Sequence, residues 1–201
     1  MTKLSHALGL ILHPKKEWQK ISQEKNDVTG LLFGYVMIMA LIGPVAGYYG
    51  TTINGWQIGD ADAIRLTHES ALTISILYYI AVVVSVMGLG FMVRWMCKTY
   101  GGNSTLEQGV ALSTYVATPI FLVGIVEIFP ILWLNLMIGL AGLTYSVYLL
   151  YSGVPIMMKI SEDKGFLMSS ALLAIGMVAL VSLLAITALM WGFGFSPRFT
   201  D

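Results

Sequence analysis

The sequence predicts an all-α, polytopic membrane protein: a bundle of five transmembrane helices with an amphipathic, interfacial helix at its N-terminus. Of its 201 residues, 57% are hydrophobic and 11% are charged, whereas soluble domains carry about a quarter charged residues. Five apolar runs are long enough to cross a bilayer core of about 30 Å at about 1.5 Å per residue. The basic residues also lie where a five-span topology requires them.

The N-terminal segment, residues 1–27, is predicted to be amphipathic, and residues 28–201 form the transmembrane domain. Pro14 suits the first turn of a helix that carries Trp18 and Ile21 three residues apart. Such a segment, with five of the eleven basic residues, suits the headgroup region of a bilayer. The alternative is a cytosolic helix that caps the bundle, and the sequence leaves both open.

The apolar run Leu8 to Leu12 is interrupted by His13-Pro14 and has no small-residue cleavage site. No removable signal peptide is therefore expected. His6 and His13 are interpreted as polar residues of the membrane interface.

Five apolar runs predict the transmembrane spans. Their approximate bounds are 31–49, 72–96, 110–129, 131–158 and 167–191. Pro44, with glycines 43 and 47, predicts a kink in the first span or the close approach of a neighbouring helix. Ser104 followed by Glu107 predicts a capping box at the start of the third span.

The basic residues predict an orientation. With a cytoplasmic N-terminus and a periplasmic C-terminus, nine of the eleven basic residues lie on the cytoplasmic side. Only Arg65 and Arg198 then lie outside, as the positive-inside rule requires.

A series of short motifs carries a family resemblance. In chain order they are His13-Pro14 with Trp18 and Ile21, Tyr115-x-x-x-Pro119, Phe129-Pro130, and the run from Tyr148 to Pro155. With five spans, they resemble the Yip domain family, the Ypt/Rab-interacting membrane proteins, and within it the bacterial inner-membrane branch. The resemblance implies a five-span fold in the bacterial inner membrane with a cytosolic N-terminus.

Eukaryotic members of that family act in vesicle trafficking with Rab-type GTPases and with one another. This chain lacks their long N-terminal arm and its acidic Asp-Leu-Tyr-Gly-Pro motif. No Rab-type GTPase partner is therefore expected.

Two Tyr-x-x-x-Pro devices mark the third and fourth spans, at Tyr115–Pro119 and Tyr151–Pro155. Each proline lacks the N–H that would bond the carbonyl of its tyrosine, and a carbonyl freed inside an apolar helix needs another partner. Pro130 permits only a tight connection between the spans.

Folding the two spans back about Pro130 places Tyr115 level with Tyr145 and close to Tyr148, so these three tyrosines are expected to meet. The region is either a polar pocket or passage, as broken helices provide in transporters, or a packed interface. The candidate binding residues are Tyr115, Pro119, Glu127, Asn135, Tyr145, Tyr148, Tyr151 and Pro155. The small residues expected to allow close helix packing are Gly139, Gly142, Ser146 and Gly153.

Glu127 is the acidic residue that lies well within a predicted span, and Asn135 lies at a similar depth. A carboxylate in the membrane is a candidate for proton or cation coupling. Glu127 lies about one turn from the outer interface, so the alternative is an interfacial residue that reaches water.

The loop after the first span holds Asp60, Asp62, His68 and Glu69, which are possible ligands of a divalent cation. Their spacing matches neither an EF-hand nor His-Glu-x-x-His, so the loop is interpreted as a solvated acidic loop and no metal site is predicted. The single Cys97 excludes an internal disulfide and a cysteine cluster.

The sequence contains no Gly-x-Ser-x-Gly elbow, phosphate loop or dinucleotide fingerprint. It predicts a protein without enzymatic activity or cofactor, and a net charge of zero gives no reason to expect a nucleic-acid partner. We expect it to act by interaction or membrane organisation, binding lipids, itself or other membrane proteins. The alternative is a transporter or channel for an ion or small solute through the third and fourth spans.

Overall fold

The computed structural model describes residues 5–56, 62–194 and 196–200. Two short helices come first, α1 (Ser5–Leu12) and α2 (Pro14–Gln23). Five further helices in the described part are long and apolar enough to cross a membrane: α3 (Val28–Asn54), α4 (His68–Thr99), α5 (Leu106–Ile128), α6 (Leu132–Met158) and α7 (Glu162–Gly192). These five helices confirm the predicted fold class.

The two N-terminal helices pack onto the bundle. Pro14 lies in the first turn of α2. The N–H groups of this turn have no acceptor within the helix, so the N–H that proline lacks costs no hydrogen bond. Leu10, Trp18 and Ile21 are all at most 1% exposed. A Cβ added at Gly153 would lie 2.7 Å from the Trp18 ring, so α6 accommodates the indole through this glycine. Both N-terminal helices therefore pack on the bundle through buried apolar side chains.

The first span, α3, is irregular. It contains π-helical segments at Leu32–Val36 and Gly50–Asn54, and a turn at residues 40–41 separates two α-helical parts. Pro44 lies in the first turn of the second part, Ile42–Tyr49. Because proline cannot donate a hydrogen bond to the preceding turn, the break falls just before it.

The N-cap of the third span lies one residue later than the sequence predicted. The capping box is formed by Thr105 and Gln108, so the predicted pair Ser104 and Glu107 was wrong. Both pairs fit the same Ser/Thr-x-x-Glu/Gln pattern, and the sequence does not decide between two overlapping matches.

The prolines of the two Tyr-x-x-x-Pro devices act differently on their helices. At Pro119 the helix divides: Leu106–Val116 ends, Thr118–Val123 follows, and a 3-10 segment, Gly124–Ile128, leads to the hairpin. At Pro155, α6 continues to Met158 and ends at Lys159 in the left-handed conformation, with φ 53°.

Candidate functional site

Tyr115 lies at the centre of an aromatic cluster. Its ring centroid is 5.2 Å from that of Tyr35, 5.5 Å from that of His6 and 6.4 Å from that of Trp18. Its side chain is 1% exposed, and the Tyr35 hydroxyl lies 2.7 Å from the Thr118 hydroxyl. The N-terminal helices and α3 therefore fill the position that the sequence suggested for a pocket.

The predicted meeting of three tyrosines is not found. Tyr145 contacts Tyr148, with ring centroids 5.6 Å apart, and its hydroxyl donates to the carbonyls of Leu10 and Ile11 at 3.1 and 2.9 Å. Tyr115 makes no ring contact with either of them in the part of the chain that the structure describes. The N-terminal helices, which the hairpin argument omitted, contact both Tyr115 and Tyr145.

The second Tyr-x-x-x-Pro device faces α7. The Tyr151 hydroxyl lies 2.8 Å from the Ser170 hydroxyl, and its ring centroid is 5.3 Å from that of Phe166. A Cβ added at Gly165 would lie 3.0 Å from the Pro155 ring. The two devices therefore have different neighbours and do not share one pocket.

The small residues of α6 also have different environments. A Cβ added at Gly142 would lie 2.7 Å from the Val123 side chain and 3.5 Å from the Pro119 carbonyl oxygen. Ser146 is 3% exposed. At Gly139 no atom lies within 4 Å of the added Cβ. Gly142 permits close contact with α5, whereas Gly139 is open.

An ionic network with His6 and Glu17 at its buried centre joins the two N-terminal helices. His6 Nδ1 is 2.6 Å from a Glu17 carboxylate oxygen, and His6 Nε2 is 3.1 Å from one of Glu24. Lys20 donates to the other oxygen of Glu17 at 2.9 Å. His6 is 1% exposed. The structure shows His6 covered by α2, which folds back at Pro14.

We expect acid to weaken the docking of α1 and α2, because the network includes the Glu17 carboxylate. Burial raises the pKa of Glu17, but hydrogen bonds from Lys20 and His6 lower that pKa more, so it lies below its ordinary value. The stabilisation is therefore complete above about pH 4.3, the ordinary pKa of glutamate, and is lost as the pH falls through the lower folded-state pKa. Thermal unfolding in detergent should show a midpoint that falls in this acid range. In Glu17→Gln the midpoint should be lower at pH 7 and should change less with acid; an unchanged acid dependence would contradict this role.

Glu127 lies where the third span, the first span and the second span meet. The Tyr78 hydroxyl donates to Glu127 Oε1 at 3.0 Å. A Cβ added at Gly47 would lie 2.8 Å from Glu127 Oε2, and one added at Gly50 would overlap the Glu127 carbonyl oxygen. Glu127 is half-buried. It is therefore an inter-helix contact as well as a membrane carboxylate.

Asn135 has a separate role at the hairpin. Its amide donates to the carbonyls of Phe129 and Ile131 at 2.7 and 3.0 Å. On the other side of the turn, the Asn54 amide donates to the Ile128 carbonyl at 2.6 Å. Both amides bond carbonyls around the turn at Pro130. Those of Phe129 and Ile131 also accept backbone hydrogen bonds, from the N–H groups of Ile131 and Asn135.

The sequence indicated two glycines of the Glu127 site but missed its other partners. Gly43 and Gly47 were expected to admit a neighbouring helix, and Gly50 continues that face. Tyr78 lies 49 positions from Glu127 along the chain. The sequence signal that could have indicated this partner is the presence of a tyrosine within an apolar span.

The candidate cation ligands do not come together in the structure. His68 Nδ1 is 3.1 Å from the Tyr48 hydroxyl. Within residues 5–56, 62–194 and 196–200, no group of three His, Cys, Asp or Glu side chains could hold a metal ion. Asp62 and Glu69 therefore belong to no such group. Asp60 lies outside the described residues.

Comparison with known proteins identifies the family. The sequence profile of the Yip1 domain matches residues 8–183. The chain belongs to the Yip1 domain family. Inner membrane protein YohC of Escherichia coli K12 is 35% identical over 192 residues, which cover 96% of this chain and 98% of that protein. YohC of E. coli O6:H1 has the same identity and coverage.

The predicted family resemblance is thus confirmed, and the chain is a multi-pass inner-membrane protein. No solved structure matches it. The matched Yip1 domain begins within α1 and includes all of α2. Glu17 and Trp18 therefore lie within the matched range, whereas His6 lies before its first residue.

Proposed function

We propose that this Yip1-domain protein acts by interaction within the membrane, associating with a second copy of itself through α7. The observation that carries the proposal is how little of α7 the bundle covers. Of its most apolar 18-residue stretch, 6% is buried, against 67% for α5. Its buried residues all lie near its start: Gly165, Met168, Ser169 and Leu172.

The exposed part of α7 has a face of small residues that suits a helix contact. Gly176, Ala179 and Ser182 recur every three residues and are exposed, and no atom lies within 4 Å of a Cβ added at Gly176. Transmembrane helices associate by packing at small residues, because lipid gives no hydrophobic driving force between them. The exposed stretch of α7 therefore gains most from a partner helix.

Interaction also fits the surroundings of the tyrosines, because the region predicted as a passage is occupied by packed side chains around Tyr115. We propose no enzymatic activity, cofactor, nucleic-acid partner or Rab-type GTPase partner. We propose a cytoplasmic N-terminus, because that orientation agrees with the distribution of lysines.

Disulfide cross-linking in membranes tests the self-association. In a Cys97→Ser background, Ala179→Cys and Ser182→Cys should each give a covalent dimer on mild oxidation, because a disulfide needs Cα atoms about 4.4–6.8 Å apart. Met177→Cys and Val181→Cys, on the opposite face of α7, are the matched controls. Equal cross-linking on both faces, or none at positions 179 and 182, would contradict an α7 interface.

The contact between Glu127 and Tyr78 favours transport of a proton or cation as a second candidate, since a membrane carboxylate is a functional group by default. In that case Glu127→Gln in liposomes should reduce flux by at least about tenfold, the size of an effect of 1.4 kcal/mol on the barrier. Tyr115→Phe is the control, because its ring lies in the packed cluster. If the protein acts by interaction, neither variant changes flux from that of empty liposomes.

A further inference from the structure

A groove of about 610 Å³ separates the beginning of α4 from the end of α7. Its apolar walls include Ile74, Leu77 and Ala81 on α4, with Leu183 and Met190 on α7. Four of these side chains, all but Ala81, are at least 41% exposed, so the groove is open along its side to the surrounding membrane.

The length of the groove matches one leaflet. Glu69 and Ala81 both line it and lie twelve residues apart on α4, a distance of about 18 Å at about 1.5 Å per residue. Half of a bilayer core of about 30 Å is about 15 Å. An acyl chain lying along the groove would therefore contact apolar walls through the depth of its leaflet.

The mouth of the groove carries one acidic and one basic side chain, Glu69 and Arg198. The Arg198 N–H donates to the Ser70 hydroxyl at 2.9 Å, and its carbonyl accepts from the Thr67 N–H at 3.0 Å. These bonds fix the C-terminal segment beside the start of α4. Within the described ranges, neither charged side chain takes part in an ion pair.

We propose that this groove binds one phospholipid whose headgroup is zwitterionic and ends in a primary ammonium. The Arg198 guanidinium binds the phosphate through paired N–H donors, and the Glu69 carboxylate accepts hydrogen bonds from the ammonium. One acyl chain lies between α4 and α7. An anionic headgroup without the ammonium leaves Glu69 unpaired, and a quaternary ammonium has no N–H to donate to it.

Native mass spectrometry of the full-length protein in detergent, read on the monomer, tests this site separately from the α7 interface. Delipidated protein is mixed in turn with phosphatidylethanolamine, phosphatidylglycerol and phosphatidylcholine of equal chain length. We expect phosphatidylethanolamine to bind at least about tenfold more tightly than the other two, because about 1.4 kcal/mol is a factor of ten and one hydrogen bond to a charged group contributes at least that much.

Variants assign the contributions of the two headgroup contacts. Glu69→Gln should remove the preference for phosphatidylethanolamine while leaving the binding of phosphatidylcholine unchanged. Arg198→Gln should weaken all three lipids about tenfold, and Arg94→Gln, at the far end of α4, is its matched control.

A substitution that fills the groove tests whether the lipid binds there. Ala81→Phe should abolish lipid binding, and Ala185→Phe, on the face of α7 away from the groove, should leave it intact. Equal binding of the three lipids by the wild-type protein would overturn the headgroup assignment. Unchanged binding in Ala81→Phe would overturn the groove itself, whatever the oligomeric state.

Discussion

Trp18→Ala should destabilise the protein by about 3–5 kcal/mol, the usual cost of truncating a fully buried tryptophan. The Trp18 side chain is 0% exposed and contacts the Tyr115 ring and Gly153. Without it, α1 and α2 lose the largest of their fully buried side chains on the bundle. Thermal unfolding in detergent should show the lower midpoint, and trypsin should cleave faster at the lysines of α2, Lys15, Lys16 and Lys20.

Two further substitutions separate packing from other effects. Trp18→Phe should cost less than about 1.5 kcal/mol, because it keeps most of the ring volume. The indole N–H has no hydrogen-bond partner within the described part of the chain, so little else is lost. Trp133→Ala removes a ring that is 60% exposed and should leave both readouts near those of the wild-type protein. Wild-type stability and protease resistance in Trp18→Ala would show that the N-terminal helices are held by other contacts.

Gly50→Ala should destabilise the bundle by about 1–3 kcal/mol, the usual cost of overpacking. The added methyl group would overlap the backbone carbonyl oxygen of Glu127, which cannot rotate away as a side chain can. Gly50 has φ −57°, so alanine meets no backbone strain there, and its helix propensity would favour it by about 0.5–1 kcal/mol. The overlap outweighs this gain, and the net change is a loss.

The matched control for Gly50→Ala is a glycine at which alanine should raise the stability of the protein. At Gly88, in α4, no atom lies within 4 Å of an added Cβ. Gly88→Ala should therefore stabilise the helix by up to about 1 kcal/mol. Unfolding midpoints of the two variants, measured in the same detergent, check both. A midpoint for Gly50→Ala at or above that of the wild-type protein would contradict the close contact of the first span with the hairpin.

Patterns confined to one helix were predictable from the sequence. Length and hydropathy predicted the five spans, and Pro14 and Pro44 predicted where α2 begins and where α3 breaks. Such features depend on the backbone of a few neighbouring residues.

Contacts between helices were not predictable in the same way. His6 is covered because α2 folds back at Pro14, and Tyr78 reaches Glu127 from a different span. Folding the two spans back about Pro130 predicted one depth for Tyr115 and Tyr145, but the hairpin alone does not include α1 and α2, which lie against both. Depth in the membrane follows from sequence position, whereas the neighbours around a helix depend on how all the helices pack.

A structure of the protein in a lipid nanodisc is the most direct test of the central claim, that this Yip1-domain protein acts by interaction rather than transport. We predict two copies in contact along residues 176–182 of α7, with Tyr115 packed beneath Trp18. A monomer with a water-filled passage past Glu127 and Tyr115 would contradict that claim.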